Sequence, residues 1–397
     1  MPNGRVTNLF LNIGHALDHL MLLVYATAVI GIAAEFNLTY NDMLPLATGA
    51  FVMFGLGSLP AGWLGDHWSR RGMMIVFFLG LGLSSIAVAL CSTSWQLVVT
   101  LTVLGIFAAI YHPVGIAMLV QDAKKVGITI GINGLAGNLG IAAAAILSGF
   151  LMQRFGWRSA FIAPGLLSIV TGIAFWLMVP KESMAPAKRA KQPVDLPRAL
   201  VLRAFAVMTT VAICSSLIFN FTTNSMPKVF DERLVGITRD PALVGLFLGG
   251  VYFVASLAQL VVGTLIDRFP LKTIILPVVI LQVPLFALAS TAQDWSMLVL
   301  ATAFMLLVFG QIPFGDSMIA QYFDDRMRSR VYAVRLTISF GASAIAINLI
   351  SALNAHGGFS LVMQTLSVVA VGSFVAALFL PGRNPQRAPA TAAQPAE

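Results

Sequence analysis

Apolar residues run along this chain in twelve stretches, each near the ~20 residues a helix needs to cross a bilayer. Six of them, 8–33, 43–64, 73–93, 96–120, 129–152 and 159–180, precede a polar segment rich in Lys, Arg, Pro and Ala. Six more follow it, at 201–226, 242–264, 271–291, 296–321, 331–354 and 359–381. In hydrocarbon the backbone must satisfy its own hydrogen bonds, which helices do within one segment. The pattern predicts an all-α integral membrane protein with twelve transmembrane helices in two six-helix bundles. The expected divisions are an N-terminal bundle at 1–180, a cytoplasmic linker at 181–200, a C-terminal bundle at 201–382 and a disordered cytoplasmic tail at 383–397. The first stretch holds His15, Asp18 and His19 and ends without a small-residue cleavage site, so it is expected to be a retained span and not a signal peptide.

Two polar breaks carry the same motif. Gly62, Asp66, Arg70 and Arg71 mark the first copy, and Gly263, Asp267, Arg268 and Lys272 the second. The aspartates lie 201 residues apart, about half the chain. A repeat of that length in an apolar chain implies two membrane halves of like fold, related by pseudo-symmetry.

Composition agrees with lipid as the main solvent. The chain of 397 residues is 58% hydrophobic and 10% charged, against ~25% charged in soluble domains. Its mean hydropathy is +0.87. The net charge of +8 is explained by sidedness, and no nucleic-acid partner is expected. With the N-terminus inside, eighteen of the 24 Lys and Arg fall on the cytoplasmic side and five outside, with Arg335 within a span. That asymmetry predicts a multi-pass protein of the cell membrane, in bacteria the inner membrane, with both termini cytoplasmic. Cys91 and Cys214 sit in or near apolar spans in different halves, which argues against a structural disulfide.

Few ionisable residues lie within the spans. Away from the span ends they are Asp18, Asp316, His15, His19, His112 and Arg335. Such residues are costly in hydrocarbon and normally face a bundle interior or a water-filled cavity. With a rise of about 1.5 Å per residue, His15 and His19 lie roughly 10–17 Å deep and His112 about 13 Å deep. That is the midplane of a ~30 Å core. His15 and His19 are four residues apart and Asp18 is three from His15, so one helix face carries all three. Imidazoles beside a carboxylate at one depth form a candidate proton relay. Hydrogen bonding between neighbouring helices and divalent-metal binding by His15, Asp18, His19 and His112 are the other readings of the same residues. The seventeen methionines are scattered, as packing residues are.

The second half has no titratable counterpart. Its midspan polar residues are Asn220, Thr222, Thr223 and Asn224 in the seventh span and Gln311 in the tenth. With Tyr25 and Tyr111, the residues Asn220, Thr223, Asn224 and Gln311 are candidates for lining a substrate cavity. Asp316 and Arg335 are placed to pair between the tenth and eleventh helices. Gly131, Gly134, Gly137, Gly140 and Gly149 of the fifth span provide a small-residue face for close helix approach, moving or static.

The doubled motif resembles the loop signature of the major facilitator superfamily, Gly-x-x-x-Asp-(Arg/Lys)-x-Gly-(Arg/Lys)-(Arg/Lys), with departures at His67, Ser69 and Pro270. Phe155-Gly156-Trp157-Arg158 is also similar to that superfamily. The resemblance implies two six-helix bundles, a central cavity lined by helices one, four, seven and ten, and alternating access. It also implies a cytoplasmic gate in which Asp66 meets the start of the eleventh helix at Arg328 or Arg330. Gly14-His15-Ala16-Leu17-Asp18, Tyr111-His112-Pro113 and Gly134-x-x-Gly137-Asn138-x-Gly140 resemble the fosmidomycin-resistance efflux branch. Leu17, the extra His19 and Val114 depart from it.

These features point to a monomeric secondary transporter of a small organic solute, driven by protons and directed outward. No cofactor is expected, and no nucleophile–base or nucleotide motif suggests an enzyme. A divalent transition-metal or metal-chelate carrier and a non-transporting receptor or assembly factor are the alternatives.

Overall fold

The computed structural model describes residues 2–121, 123, 126–181, 198–323 and 325–380. Most of the linker 181–200 and the tail 383–397 lie outside them, as do the side chains of Arg328 and Arg330. Helices make up the described fold, and no strand occurs among the described residues.

Eleven helices are long and apolar enough to cross a membrane. We number the first ten α1 (Gly4–Phe36), α2 (Tyr40–His67), α3 (Arg70–Ala89), α4 (Ser94–Val120), α5 (Ile128–Phe155), α6 (Ser159–Met178), α7 (Ala199–Arg233), α8 (Pro241–Arg268), α9 (Leu271–Ala289) and α10 (Asp294–Ile319). The last run, Thr337–Leu378, is bent where Gly357 and Gly358 leave helical geometry. Gly358 has φ 62°, a conformation that glycine adopts without steric cost. The limbs on either side are α11 (325–356) and α12 (359–378), so the chain crosses twelve times.

Helix starts follow local capping. Thr39 and Asp42 form a reciprocal box at α2, and Thr93 and Gln96 form one at α4. Ser69 accepts from Gly72 N at α3. Asp240 accepts from Ala242 N at α8, just before Pro241. Two spans are interrupted. In α2 a tighter turn occupies Leu44–Ala47 around Pro45. In α4 a π-helical turn covers Tyr111–Gly115 around Pro113. Proline removes a backbone donor and crowds the preceding turn, and π-turns recur at functional sites.

Each half has an aromatic interior. Phe77, Phe78, Phe161 and Phe175 fill the first, and Phe230, Phe286, Phe304 and Phe309 the second. Leu83, Val170, Leu177, Val261 and Val299 point outward, as expected of a surface bathed in lipid chains. The doubled motif performs the same structural task twice. Arg71 Nε donates to Val179 O at 2.6 Å, and its Nη2 donates to Trp176 O, at the end of α6. Lys272 Nζ donates to Leu378 O at the end of α12. A cation on the last carbonyls of a helix satisfies orphan acceptors and complements the dipole.

Within the first half α1 packs lengthwise on α5, and across the halves α5 packs on α8 and α2 on α11. Several hydrogen bonds between the halves lie at the face away from the chain termini. Ser351 Oγ donates to Asn41 O at 2.6 Å, and Asn354 Nδ2 to Asn41 Oδ1 at 2.9 Å. Asn348 Nδ2 donates to Thr48 Oγ1 at 2.9 Å, and Gln153 Nε2 to Asp240 Oδ2 at 2.7 Å. Along α5 and α8 the contact continues as far as Gly134 and Gln259. Nearer the terminal face, a Cβ added at Gly131 or Gly263 would meet nothing within 4 Å.

Candidate functional site

The midplane histidines come together as one cluster. α1 presents His15, Asp18 and His19 on successive turns, and the π-helical turn of α4 presents His112. His15 stacks on Tyr111 with ring centroids 4.8 Å apart. Its Nδ1 lies 2.7 Å from Asn133 O of α5, which can only accept, so Nδ1 carries the proton. In neutral His15 the lone pair is then on Nε2. His19 Nε2 faces it at 3.1 Å and donates, which leaves Nδ1 of neutral His19 without a proton.

Asn133 also braces the support around His15. Its amide donates to Asn12 Oδ1 at 2.9 Å and to Tyr111 Oη at 2.8 Å, and Tyr111 Oη donates to Leu11 O at 2.7 Å. Gly137, one turn along α5 from Asn133, forms the seat for the imidazole. A Cβ there would stand 2.8 Å from the ring of His15.

Asp18 is 0% exposed, and neither carboxylate oxygen has a hydrogen-bond partner. His112 Nε2 stands 3.6 Å from Asp18 Oδ2, too long for a hydrogen bond and close enough for an ion pair. The His112 side chain is 18% exposed and His19 is half-buried, whereas His15 and Asp18 are buried. The ligand nitrogens of His15, His19 and His112 all lie within 4.8 Å of one another. These three residues are the set among the described residues that could hold a metal ion, and Asp18, expected with them, is not brought into it.

Other sequence candidates are placed differently. Tyr25 and Tyr111, expected in the substrate cavity, are buried and committed to backbone carbonyls. Tyr25 Oη donates to Met43 O at 2.6 Å, tying α1 to α2. Gln311 turns into the interior of the second half. It donates to Ser215 Oγ at 2.6 Å and accepts from Gln282 at 3.0 Å. Asn220, Thr223 and Asn224 each donate to the carbonyl four residues earlier in α7. That usage commits the Thr223 hydroxyl proton and one amide proton of each Asn to their own helix. Asp316 accepts from Arg335, joining α10 to α11.

At the gate motif, Asp66 pairs with Arg70 at 2.7 Å within its own half and is 62% exposed. The expected partners Arg328 and Arg330 lie outside the described side chains. Gly62 and Gly65 pack α2 against Pro113 and Val114 of the π-helical turn. Sequence reading missed Asn133, Gly137 as a seat, and a bond from Asn138 Nδ2 to Gln259 Oε1 at 2.6 Å. Gly137 and Asn138 stood out only as part of the glycine motif of that span, and Asn133 only by its polarity.

The model of the Major Facilitator Superfamily matches residues 11–238 and 234–397, and the chain belongs to that superfamily. Its members are transporters and not enzymes. Over 179 residues the chain is 26% identical to the Tetracenomycin C resistance and export protein of Streptomyces glaucescens, covering 44% of this chain and 32% of that protein. Over 157 residues it is 30% identical to the Methyl viologen resistance protein SmvA of Salmonella typhimurium, covering 38% of this chain and 30% of that one. The chain thus spans less than half the length of these curated relatives. The structure is also similar to the inward-open conformation of the xylose transporter XylE from E. coli, with TM-score 0.76. That likeness covers 96% of this chain and 98% of the other at 13% identity, and it is one of fold.

Proposed function

We propose that the protein is a proton-coupled secondary transporter that exports a small organic solute by alternating access. It works as a monomer in the cell membrane of a bacterium, with both termini in the cytoplasm as the Lys/Arg asymmetry indicates. In that orientation the halves meet on the outer side, and the path between them opens inward. Resistance and export relatives support the outward direction.

The observation that carries proton coupling is the buried Asp18 carboxylate, without a hydrogen bond and 3.6 Å from His112. A carboxylate stripped of water is tolerated only against a positive partner. A proton on His112 supplies that partner, and a proton on Asp18 removes the need for it. The two arrangements place charge differently between α1 and α4, and that difference would give protons a differential affinity for two states of the halves. His19 and His112, less buried than Asp18, pass protons toward it.

The test is transport by purified protein in proteoliposomes under an imposed pH gradient, with methyl viologen and tetracenomycin C as first probes. Asp18→Asn should abolish gradient-driven movement and leave insertion intact. Unchanged gradient-driven rates in this variant would remove Asp18 from the mechanism.

A second reading, transport of a divalent transition metal, is favoured by the His15–His19 separation of 3.1 Å. Two imidazoles bound to one ion at ~2.0–2.1 Å are held at about that spacing. Calorimetry with zinc on the purified protein separates the readings. Stoichiometric binding lost in His19→Ala would favour metal as cargo, and no binding would exclude it.

A further inference from the structure

We infer that the Asn138–Gln259 hydrogen bond pins the two halves together at the point where they begin to diverge, and that it ties the position of the second half to the histidine cluster. The inference rests on the alternating-access reading but not on protons as its driver.

α5 carries two adjacent stripes with different neighbours. Asn133, Gly137 and Gly140 face α1. Asn133 O holds His15, Gly137 seats its ring, and a Cβ at Gly140 would stand 2.1 Å from Ala16 O. Gly134, Asn138, Ala142, Ala145 and Gly149 face α8. A Cβ at Gly149 would stand 2.5 Å from Pro241 O, one at Gly245 would stand 2.5 Å from Ala145 O, and one at Gly249 would stand 2.9 Å from Ala142 O. α5 is thus clamped between the helix that bears the cluster and the nearest helix of the other half.

The α5–α8 seam is built largely from small residues, with Ile146 of α5 set against Gly249 and Gln153 bonded to Asp240 at the far end, and its last contact toward the termini is polar. There Asn138, 5% exposed, donates to Gln259 at 2.6 Å. Gly134 leaves room for the same amide, since a Cβ at that position would stand 3.0 Å from Gln259 Nε2. One turn further, Gly131 and Gly263 have empty space around them. A directional bond at the boundary between contact and gap fixes where the seam ends, which shape alone does not do for a run of glycine and alanine. Because α5 is a continuous helix, a shift of His15 against Gly137 moves Asn138 as well. The pair therefore reports the state of the cluster to α8 and sets how far the halves open.

Spin labels at Gly131→Cys and Gly263→Cys, with Cys91 and Cys214 replaced by alanine, read the width of the gap in vesicles. All samples are compared at a single pH, so a failed proton mechanism leaves the comparison intact. With the native pair, one narrow distance distribution is expected. Gln259→Ala should change the ratio of wide to narrow states on the order of three- to tenfold, the range of interhelical hydrogen bonds in membranes. The exchanged pair Asn138→Gln with Gln259→Asn should restore the native distribution. An unchanged distribution in Gln259→Ala would overturn the inference. So would a folded exchanged pair that behaves like Gln259→Ala, since the loss would then come from packing and not from the bond.

Discussion

A single hydrogen atom in place of a methyl decides the geometry of His15. Gly137 gives the imidazole a flat seat on α5 while Asn133 O fixes its Nδ1, so the ring is held from below and from one edge. Gly137→Ala would put a carbon 2.8 Å from that ring. The ring must move, and with it go the bond to Asn133 O and the facing of His19. The expected outcome is a fall in gradient-driven transport of roughly tenfold or more, as displaced reacting groups generally show. Yield of inserted protein should stay normal, because one added methyl leaves the length and apolarity of the spans unchanged. Gly131→Ala, in open space on the same helix, is the control and should transport normally. Equal rates in the two variants would mean that the seat does not matter. The residues of the cluster were legible in the sequence because His15, Asp18 and His19 share a local helical spacing. The seat was not, because Asn133 meets His15 across 118 residues, and no local periodicity encodes that meeting.

At the level of helices, the doubled motif is a pair of fasteners. Arg71 binds the start of α3 to the end of α6, and Lys272 binds the start of α9 to the end of α12. Each holds carbonyls that the helix itself leaves unpaired. Arg71→Ala and Lys272→Ala should each cost about 1 kcal/mol and lower the unfolding temperature in detergent by similar amounts. A loss confined to one variant would show that the repeat is not structurally equivalent. The twelve crossings were legible as twelve apolar stretches, because lipid demands length and apolarity and little else. Their interruptions were not. Leu44–Ala47 and Tyr111–Gly115 depart from regular helix at Pro45 and Pro113, inside runs whose average apolarity is undiminished. The second of these turns carries His112, so the local irregularity most closely tied to the site was the one that hydropathy could not reveal. The substrate candidates fared differently again. Gln311 looked like a cavity residue by depth, yet Ser215 and Gln282 claim it from inside its own half. Depth follows from counting residues, whereas the direction of a side chain depends on helix rotation, which apolar runs leave open on every face.

Across the whole molecule the halves are joined by two kinds of contact. Along α5 and α8 they share a seam of small residues. At the face away from the termini they share side-chain amides and hydroxyls, with Asn41 at the centre of one group. Polar contacts of this kind are individually weak and exchange readily with water, which suits a joint that must open. Asn41 belongs to the first half and Asn354 to the second, and their side chains meet at 2.9 Å. If transport requires the far face to open, a covalent bridge here must stop it without disturbing either bundle. Asn41→Cys with Asn354→Cys, in protein with Cys91 and Cys214 replaced by alanine, is expected to transport before treatment with a short bifunctional thiol reagent and to stop after it. Each single-cysteine variant should be unaffected by the reagent. Spin labels at Gly131→Cys and Gly263→Cys cannot share that sample, so the bridged protein is followed by tryptophan fluorescence and size-exclusion to show that it remains folded. Retained transport in folded, bridged protein would mean that the solute does not leave through the far face, and the alternating-access reading would then fail at its outer gate. Loss of transport on bridging, with Asp18→Asn also inactive while unbridged, would place the driving site and the moving gate on separate parts of one cycle, linked by α1 and α2 through Tyr25 and its bond to Met43 O.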